Sequence, residues 1–334
     1  MNKCCSNCFN DKLITAYIEK ESEEYGTCSF CGSHDVRLVE PENFTDLFET
    51  LLNLYQEATN AQSQPIYKLI QKDWNIFHNV EIAEKLMPKI INYTYIKTYD
   101  YVNINEDFVK NIWDEFRDEI KHNNRFFPKS VNLDIQELKA WLQELELSKY
   151  PKILYRARIS NNRQLIDITK MGKPPSSIAT TGRANPYGIS YLYMATRKKT
   201  AIAEVRPHKG NVVCIAKIKI PNRLRLADLR NPKNYLSPFV RPDYSTEELF
   251  KYIVLLQKLG EELSKPIVPH EAELEYLSSQ YLAELIKDAN FDGIIFKSSV
   301  GSGDNIALFS DTNVEFENVE LYEVKNLSFD SSKI

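Results

Sequence analysis

The chain has 334 residues, 43% of them hydrophobic and 26% charged, with a formal net charge of -4. That length exceeds a typical domain of about 100–200 residues, and the mild acidity excludes a global attraction to nucleic acid, so a polyanion would need a local basic patch. No apolar run approaches the ~18–20 residues of a membrane span, and the opening MNKCCSNC lacks the basic-then-apolar layout of a signal peptide. The expectation is a cytoplasmic protein, off the membrane, in which six cysteines are metal ligands or free thiols rather than disulfides.

Cys4, Cys5, Cys8, Cys28 and Cys31 crowd the start, and only Cys214 lies elsewhere. Cys5-x2-Cys8 and Cys28-x2-Cys31 form two knuckles, each letting two thiolates reach one tetrahedral zinc from a tight turn, with Gly26 and Gly32 supplying bends. A fragment of about 40 residues has too little core to fold without such a staple. Residues 1–40 are therefore predicted to form a zinc ribbon whose four protein ligands leave no open position, so the zinc is structural. Cys4 is an alternative to Cys5, and His34 a weaker one.

Residues 41–150 read as an α-helical domain. NFTDLFETLLNLYQEA places Phe44, Leu47, Phe48, Leu51 and Leu52 on one face behind a possible Asn43 cap, and IYKLIQKDWNIF, DFVKNIWDEFRDEI and DIQELKAWLQEL repeat the pattern. Arg117 and His122 form R-x4-H, which resembles the short motif of helical HEPN-type RNases; a solvated helix end explains the same two residues.

From Lys152 the texture changes to short apolar or alternating runs, KILYRARI, ISYLYMA, NVVCIAKIKI and LRLADLR, which read as strands. The helices TEELFKYIVLLQKLGEEL and LEYLSSQYLAELIKDA follow, then the strands FDGIIFKS and NIALFS. Residues 151–334 are thus α+β with a strand-built centre.

Four features of this part carry chemistry. Arg183 sits in the turn-rich TTGRANPYG, where a guanidinium grips a phosphate or carboxylate with two parallel bonds. Alternation in ISYLYMA puts Tyr191 and Tyr193 on one side of a strand, Tyr193 as a stacking platform and Tyr191 as core, with simple packing of both as the plain alternative. KKTAIAEVRPH reads as a short helix stopped by Pro207, packed through Ala201, Ile202 and Val205, with Glu204 at the border of the buried stripe, where a carboxylate can be partly desolvated, a free helical glutamate being the plain alternative. Ser298, Ser299 and Asn305 flank a glycine-bearing loop that suits phosphate or ribose, or is a plain hairpin turn.

YRAR at 155–158, GRANPYGISYLYMA at 182–195, AIAEVR at 201–206, YLSSQYLAELIK at 276–287, DGIIFKSS and NIALF resemble the RES domain. The front end resembles the N-terminal region of long RES proteins. The resemblance implies an ADP-ribosyltransferase-like split β-sheet holding NAD+ in a cleft. It also implies degradation of NAD+ by phosphorolysis or hydrolysis, inorganic phosphate as a co-substrate in the first case, and a toxin neutralised by an antitoxin. By position it implies Arg183 as the loop arginine, Tyr193 as the strand tyrosine, Glu204 as the helix glutamate, Ser298 as the serine and Arg156 as the first-strand arginine. Ser299 is the alternative serine, and Ala184 stands where the family usually has tryptophan. In that chemistry Glu204 stabilises the oxocarbenium-like state, Arg183 and Arg156 clamp the diphosphate or the incoming phosphate, and Ser298 bonds the nicotinamide side. Nicotinamide leaves neutral, so the near-absence of histidine from these blocks is consistent. ADP-ribosyl transfer to a macromolecule is disfavoured by Ile202, two residues before Glu204, where an acceptor-facing glutamate would stand. A nucleic-acid-binding or RNase module is disfavoured by the lack of a basic stretch near the ribbon.

Overall fold

The computed structural model describes residues 2–59, 63–91, 100–103, 106–129, 134–220, 223–239, 245–266 and 272–327. They form two compact units, one of residues 1–114 with 231–257, the other of residues 115–230 with 258–334. The architecture is α+β.

The first unit starts with a 3-10 turn at Ser6–Cys8 and α1 (Lys12–Glu21), whose Asp11 cap accepts from the Leu13 and Ile14 amides. The short strands β1 (Tyr25–Gly26) and β2 (Val36–Arg37) pair antiparallel. A 3-10 turn at Pro41–Phe44 then leads into α2 (Thr45–Leu52). The structure corrects the sequence reading twice here. Asn43 caps nothing, because it lies inside that turn, and the helix stops at Leu52 instead of running on through Tyr55.

Tyr55–Glu57 is instead β3, which with β4 (Gln64–Pro65) flanks β5 (Asp100–Asn103) in a three-stranded sheet. A buried polar knot draws Tyr55 out of the helix. Its hydroxyl donates to Asp73 Oδ2 (2.9 Å) and accepts from Trp74 Nε1 (3.1 Å), while Asn103 Nδ2 reaches the same carboxylate (2.8 Å). Asp73 and Trp74 end α3 (Ile66–Trp74), which packs on α4 (Val80–Ile90). Burial pushes the Asp73 carboxyl up, and the two donors that reach it, Asn103 and Tyr55, offset part of that penalty.

The second unit contains the end of α5 (Glu106–Asp118), a π-helical turn at Glu119–Asn123, and α6 (Ile135–Gln143) capped by Asp134. Its sheet has seven strands: β6 (Ile153–Ser160), β7 (Leu192–Ala195), β8 (Val212–Lys219), β9 (Leu226–Asp228), β10 (Gly293–Lys297), β11 (Asp304–Leu308) and β12 (Glu315–Glu323). Their order is β12-β8-β6-β7-β11-β10-β9, with only β9 and β10 parallel. β6 and β8 pair along their whole length, whereas β6 and β7 meet at the single pair Tyr155–Ala195. The sheet is therefore split into two halves.

β8 is buried for most of its length, which explains its continuous apolar run. β12 escapes sequence reading because an irregularity between Phe316 and Asn318 breaks its alternation and most of it is exposed at the sheet edge. Helix α7 (Lys198–Glu204) packs Ala201 against Ala157, Ala195, Val213 and Ile215, with Ile202 and Val205 partly buried beside them. The remaining helices are α8 (Thr246–Ser264) and α9 (Ala272–Asp288). No helix among the described residues is long and apolar enough to cross a membrane.

Candidate active site

The loop at 180–190 is organised around buried Asn185. Its Nδ2 donates to the carbonyls of Thr180 (3.0 Å), Pro186 (3.1 Å) and Ile189 (2.7 Å). Its Oδ1 accepts from the Tyr193 hydroxyl (2.7 Å), which in turn accepts from the Ala184 amide (3.0 Å). A Cβ on Gly182 would lie 2.6 Å from Asn185 Oδ1 and 2.9 Å from the Tyr193 hydroxyl, so only glycine fits there.

α9 holds the same loop. Gln280 Nε2 donates to Thr181 Oγ1 and to the carbonyls of Gly182 and Asn185, and Ser279 Oγ donates to the carbonyl of Arg183 (2.6 Å). With its backbone fixed, Arg183 directs Nη1 to the carbonyls of Leu263 (3.3 Å) and Lys265, at the end of α8, and Nη2 to Ser299 Oγ (3.1 Å). The guanidinium carbon is 5.8 Å from the Tyr276 ring centroid.

Glu204 is the last residue of α7, and the backbone turns away at Arg206 with φ 46°, the left-handed conformation that commonly ends helices. Against the expectation of a partly desolvated carboxylate, Glu204 is exposed, because the short helix stops before anything covers its end. Its Oε1 accepts from Ser298 Oγ (2.7 Å) and from Asn305 Nδ2 (2.6 Å). Ser298 Oγ also accepts from the amides of Val300 (3.2 Å) and Gly301 (3.1 Å), so one hydroxyl both closes the loop and orients the carboxylate. Thr200, one turn before Glu204, accepts from the Gly303 amide (3.2 Å). A Cβ on Gly303 would sit 2.7 Å from that hydroxyl.

The two serines after β10 thus divide their work. Ser298 bonds Glu204 and Ser299 bonds Arg183, which brings helix carboxylate and loop arginine to one place. Asn305 is buried, and its Oδ1 has no hydrogen-bond partner among the described residues.

Arg156 projects from β6 and donates from Nη1 to the carbonyl of Tyr193 (2.7 Å), across the narrow junction of the two half-sheets. Its Nε is buried with no partner among the described residues. Burial, with the charge of Arg158 adding to it, pulls the guanidinium down to about 10. Arg158 donates to the carbonyl of Gly172 (2.8 Å). Tyr191 is core: it is 2% exposed, and its hydroxyl donates to Glu284 (2.5 Å). Burial raises the hydroxyl pKa of Tyr193 as well as that of Tyr191.

Arg117 and His122 take different partners. Arg117 pairs with Glu262 (3.3 Å), while His122 is exposed beside Asp118 (3.8 Å). Sequence reasoning missed Asn185, Thr200, Tyr276, Ser279 and Gln280 as structural partners of the site. The only signal for the last three was their place in YLSSQYLAELIK.

A second centre is the cysteine cluster. One sulfur from each of Cys5, Cys8, Cys28 and Cys31 lies within 4.8 Å of all the others, with Cys5–Cys31 and Cys8–Cys28 at 3.4 Å. A tetrahedral metal with Zn–S bonds of about 2.3 Å has sulfur edges of about 3.8 Å, so the donor set fits. Gly32, with φ 75°, makes the second knuckle's turn, whereas Gly26 has no positive φ and instead leaves room for Leu38. Cys4 points away, its Sγ 3.6 Å from the Val39 carbonyl, and His34 Nδ1 bonds Thr27.

The sequence matches the RES domain over residues 153–330. The chain belongs to the RES family. The HEPN/RES N-terminal domain 1 matches residues 21–134. No curated protein matches the chain. Among solved structures, one chain of the M. tuberculosis MbcT–MbcA toxin–antitoxin complex is similar to it with a TM-score of 0.33 and 10% identity, over 56% of this chain and 92% of that one.

Proposed function

We propose that this RES protein degrades NAD+ by cleaving the nicotinamide–ribose bond, with phosphate or water as acceptor, and acts as a growth-arresting toxin or defence effector held in check by an antitoxin. The observation that supports the reading is the Ser298–Ser299 pair, whose neighbouring hydroxyls bond Glu204 and Arg183, respectively, within the residues matched by the RES domain.

Each residue has a task in that chemistry. Glu204, oriented by Ser298 and Asn305, stabilises the positive charge that develops on the ribose as nicotinamide departs. Arg183 has five N–H donors; the two carbonyls and Ser299 take three, leaving, among the described residues, Nε and one Nη2 hydrogen for a phosphate. The partnerless Arg156 Nε and Asn305 Oδ1 suit a phosphate oxygen and a ribose hydroxyl, respectively. Tyr193 sets the arginine loop through its hydroxyl. The nicotinamide nitrogen leaves neutral, so no general acid is required. The four thiolates of Cys5, Cys8, Cys28 and Cys31 would hold a structural zinc, supplying a fold-stabilising cross-link and no catalysis.

The test is NAD+ loss with purified protein, with and without phosphate, alongside Glu204→Ala and Arg183→Ala. Loss in the wild type alone supports the reading, and a phosphate-dependent ADP-ribose phosphate product selects phosphorolysis over hydrolysis. Intact NAD+ under every condition sinks it and moves ADP-ribosyl transfer to a macromolecule to the front.

A further inference from the structure

We propose that Arg117 and Lys121, at the end of α5 and in the π-helical turn after it, are positioning residues for Arg183. The proposal builds on the NAD+-degrading reading, because it specifies what prepares the arginine that grips the substrate.

Arg183 receives its orientation from two helix ends. The last turn of α8 presents the carbonyls of Leu263 and Lys265 to its guanidinium. The start of α9 presents the Tyr276 ring, and one turn later Ser279 holds the Arg183 carbonyl. Each helix end carries a carboxylate next to the group that touches Arg183: Glu262 precedes Leu263, and Glu275 precedes Tyr276.

Those two carboxylates are the partners of Arg117 and Lys121. Lys121 Nζ is 2.5 Å from Glu275 Oε1, and its side chain is only 5% exposed. Arg117 Nη1 is 3.3 Å from Glu262 Oε1, on a carboxylate side chain 8% exposed. Its other oxygen, Oε2, has no partner among the described residues, so the whole charge of Glu262 rests on this pair. Removing Arg117 strands the Glu262 charge, and removing Lys121 leaves the Glu275 carboxylate, 22% exposed, only the longer contact from Lys265 Nζ (3.8 Å), so the helix end bearing each must shift to regain a close partner or water. Here the ends that must move are the ones that aim Arg183. Phe116 packs edge-on against Tyr281 on the same face of α9, with ring centroids 5.5 Å apart, and completes the contact.

The R-x4-H motif therefore separates into unlike halves. Arg117 belongs to the support of the RES site, and His122, exposed beside Asp118, does not.

The experiment compares full-length wild type with Lys121→Met, Lys121→Arg, Arg117→Gln and His122→Ala, by hydrogen exchange without substrate and by NAD+ kinetics. Lys121→Met and Arg117→Gln are expected to speed amide exchange across 180–190 and to leave the peptide spanning β8 unchanged. They should raise KM for NAD+ about tenfold with kcat within about threefold, because a misaimed clamp weakens ground-state and transition-state binding alike. Lys121→Arg is expected to restore both readouts, and His122→Ala to match the wild type. Wild-type exchange across 180–190 in both charge-removing variants overturns the proposal, as does exchange that rises uniformly over the unit. If Lys121→Met does not fold, Arg117→Gln, whose native side chain is 33% exposed, decides alone. If the wild type leaves NAD+ intact, the functional reading fails while the exchange comparison still decides the coupling.

Discussion

Tyr193→Phe separates two roles that a strand tyrosine can play, ring platform and hydroxyl tether. The hydroxyl donates to Asn185 Oδ1 at 2.7 Å and accepts from the Ala184 amide at 3.0 Å, so its loss leaves two groups unpaired beside residues that are 4% and 0% exposed. A buried polar group without its partner costs about 1–3 kcal/mol, which gives about 2–4 kcal/mol for the pair after partial relaxation. At about 2–4 °C per kcal/mol for a unit of this size, the melting temperature should fall by roughly 4–16 °C. Tyr191→Phe is the control. Its hydroxyl bonds Glu284, a carboxylate side chain 42% exposed that regains water, so about 1 kcal/mol is expected. Calorimetry on both variants, with NAD+ turnover measured below either transition, tests the difference. If Tyr193→Phe melts with the wild type and turns over NAD+ at the same rate, the hydroxyl tethers nothing and the ring alone matters.

Four further outcomes are expected. Ser298→Ala should lower kcat, since it frees Glu204, and Ser299→Ala should raise KM, since it frees Arg183; one hydrogen bond of about 0.5–1.5 kcal/mol corresponds to about 2–12-fold in each. Kinetics on both singles and the double decide whether the two effects are separate. Ala184→Trp, which installs the usual family residue at a position 0% exposed, should destabilise by about 1–3 kcal/mol through overpacking, read as a lower denaturation midpoint. A chromophoric chelator should detect about one zinc per chain after thiol oxidation. Cys5→Ser and Cys28→Ser should lose that zinc, and Cys4→Ser should keep it because Cys4 faces Val39. The Lys121 hydrogen bond holds the Glu275 carboxyl below its ordinary 4.5, so its contribution is fully present above that value and is lost as the pH falls through the lowered one. Acid titration of Lys121→Met followed by circular dichroism should show a shallower loss of stability below about pH 4.5 than the wild type.

Much of the fold was legible because it rests on local pattern. The apolar run NVVCIAKIKI is buried as β8, and the stripe of Ala201, Ile202 and Val205 packs α7 as the spacing requires. What failed was decided by partners far away in sequence. Tyr55 left its helix for Asp73 and Asn103, and β12 depends on eight register pairs with β8 that its own interrupted alternation does not announce. Glu204 was placed on the right helix, and of the two readings of its carboxylate the structure takes the exposed one, because the point where α7 ends depends on the left-handed Arg206.

The site shows the same division at finer scale. Residue types and order pointed to Arg183, Glu204 and one of two serines, since a guanidinium in a turn, a helical carboxylate and loop hydroxyls each have a chemical reason to be there. Alignment on the strand favoured Ser298 and left Ser299 as the alternative, whereas the structure gives each serine a partner of its own. Past the end of β10 the chain offers neighbouring side chains to different walls, so Ser298 reaches α7 and Ser299 reaches the arginine loop. Two walls joined by consecutive residues cannot move independently by more than a bond's freedom. Consecutive residues therefore tie the carboxylate and the arginine to one stretch of chain, each through one short hydroxyl.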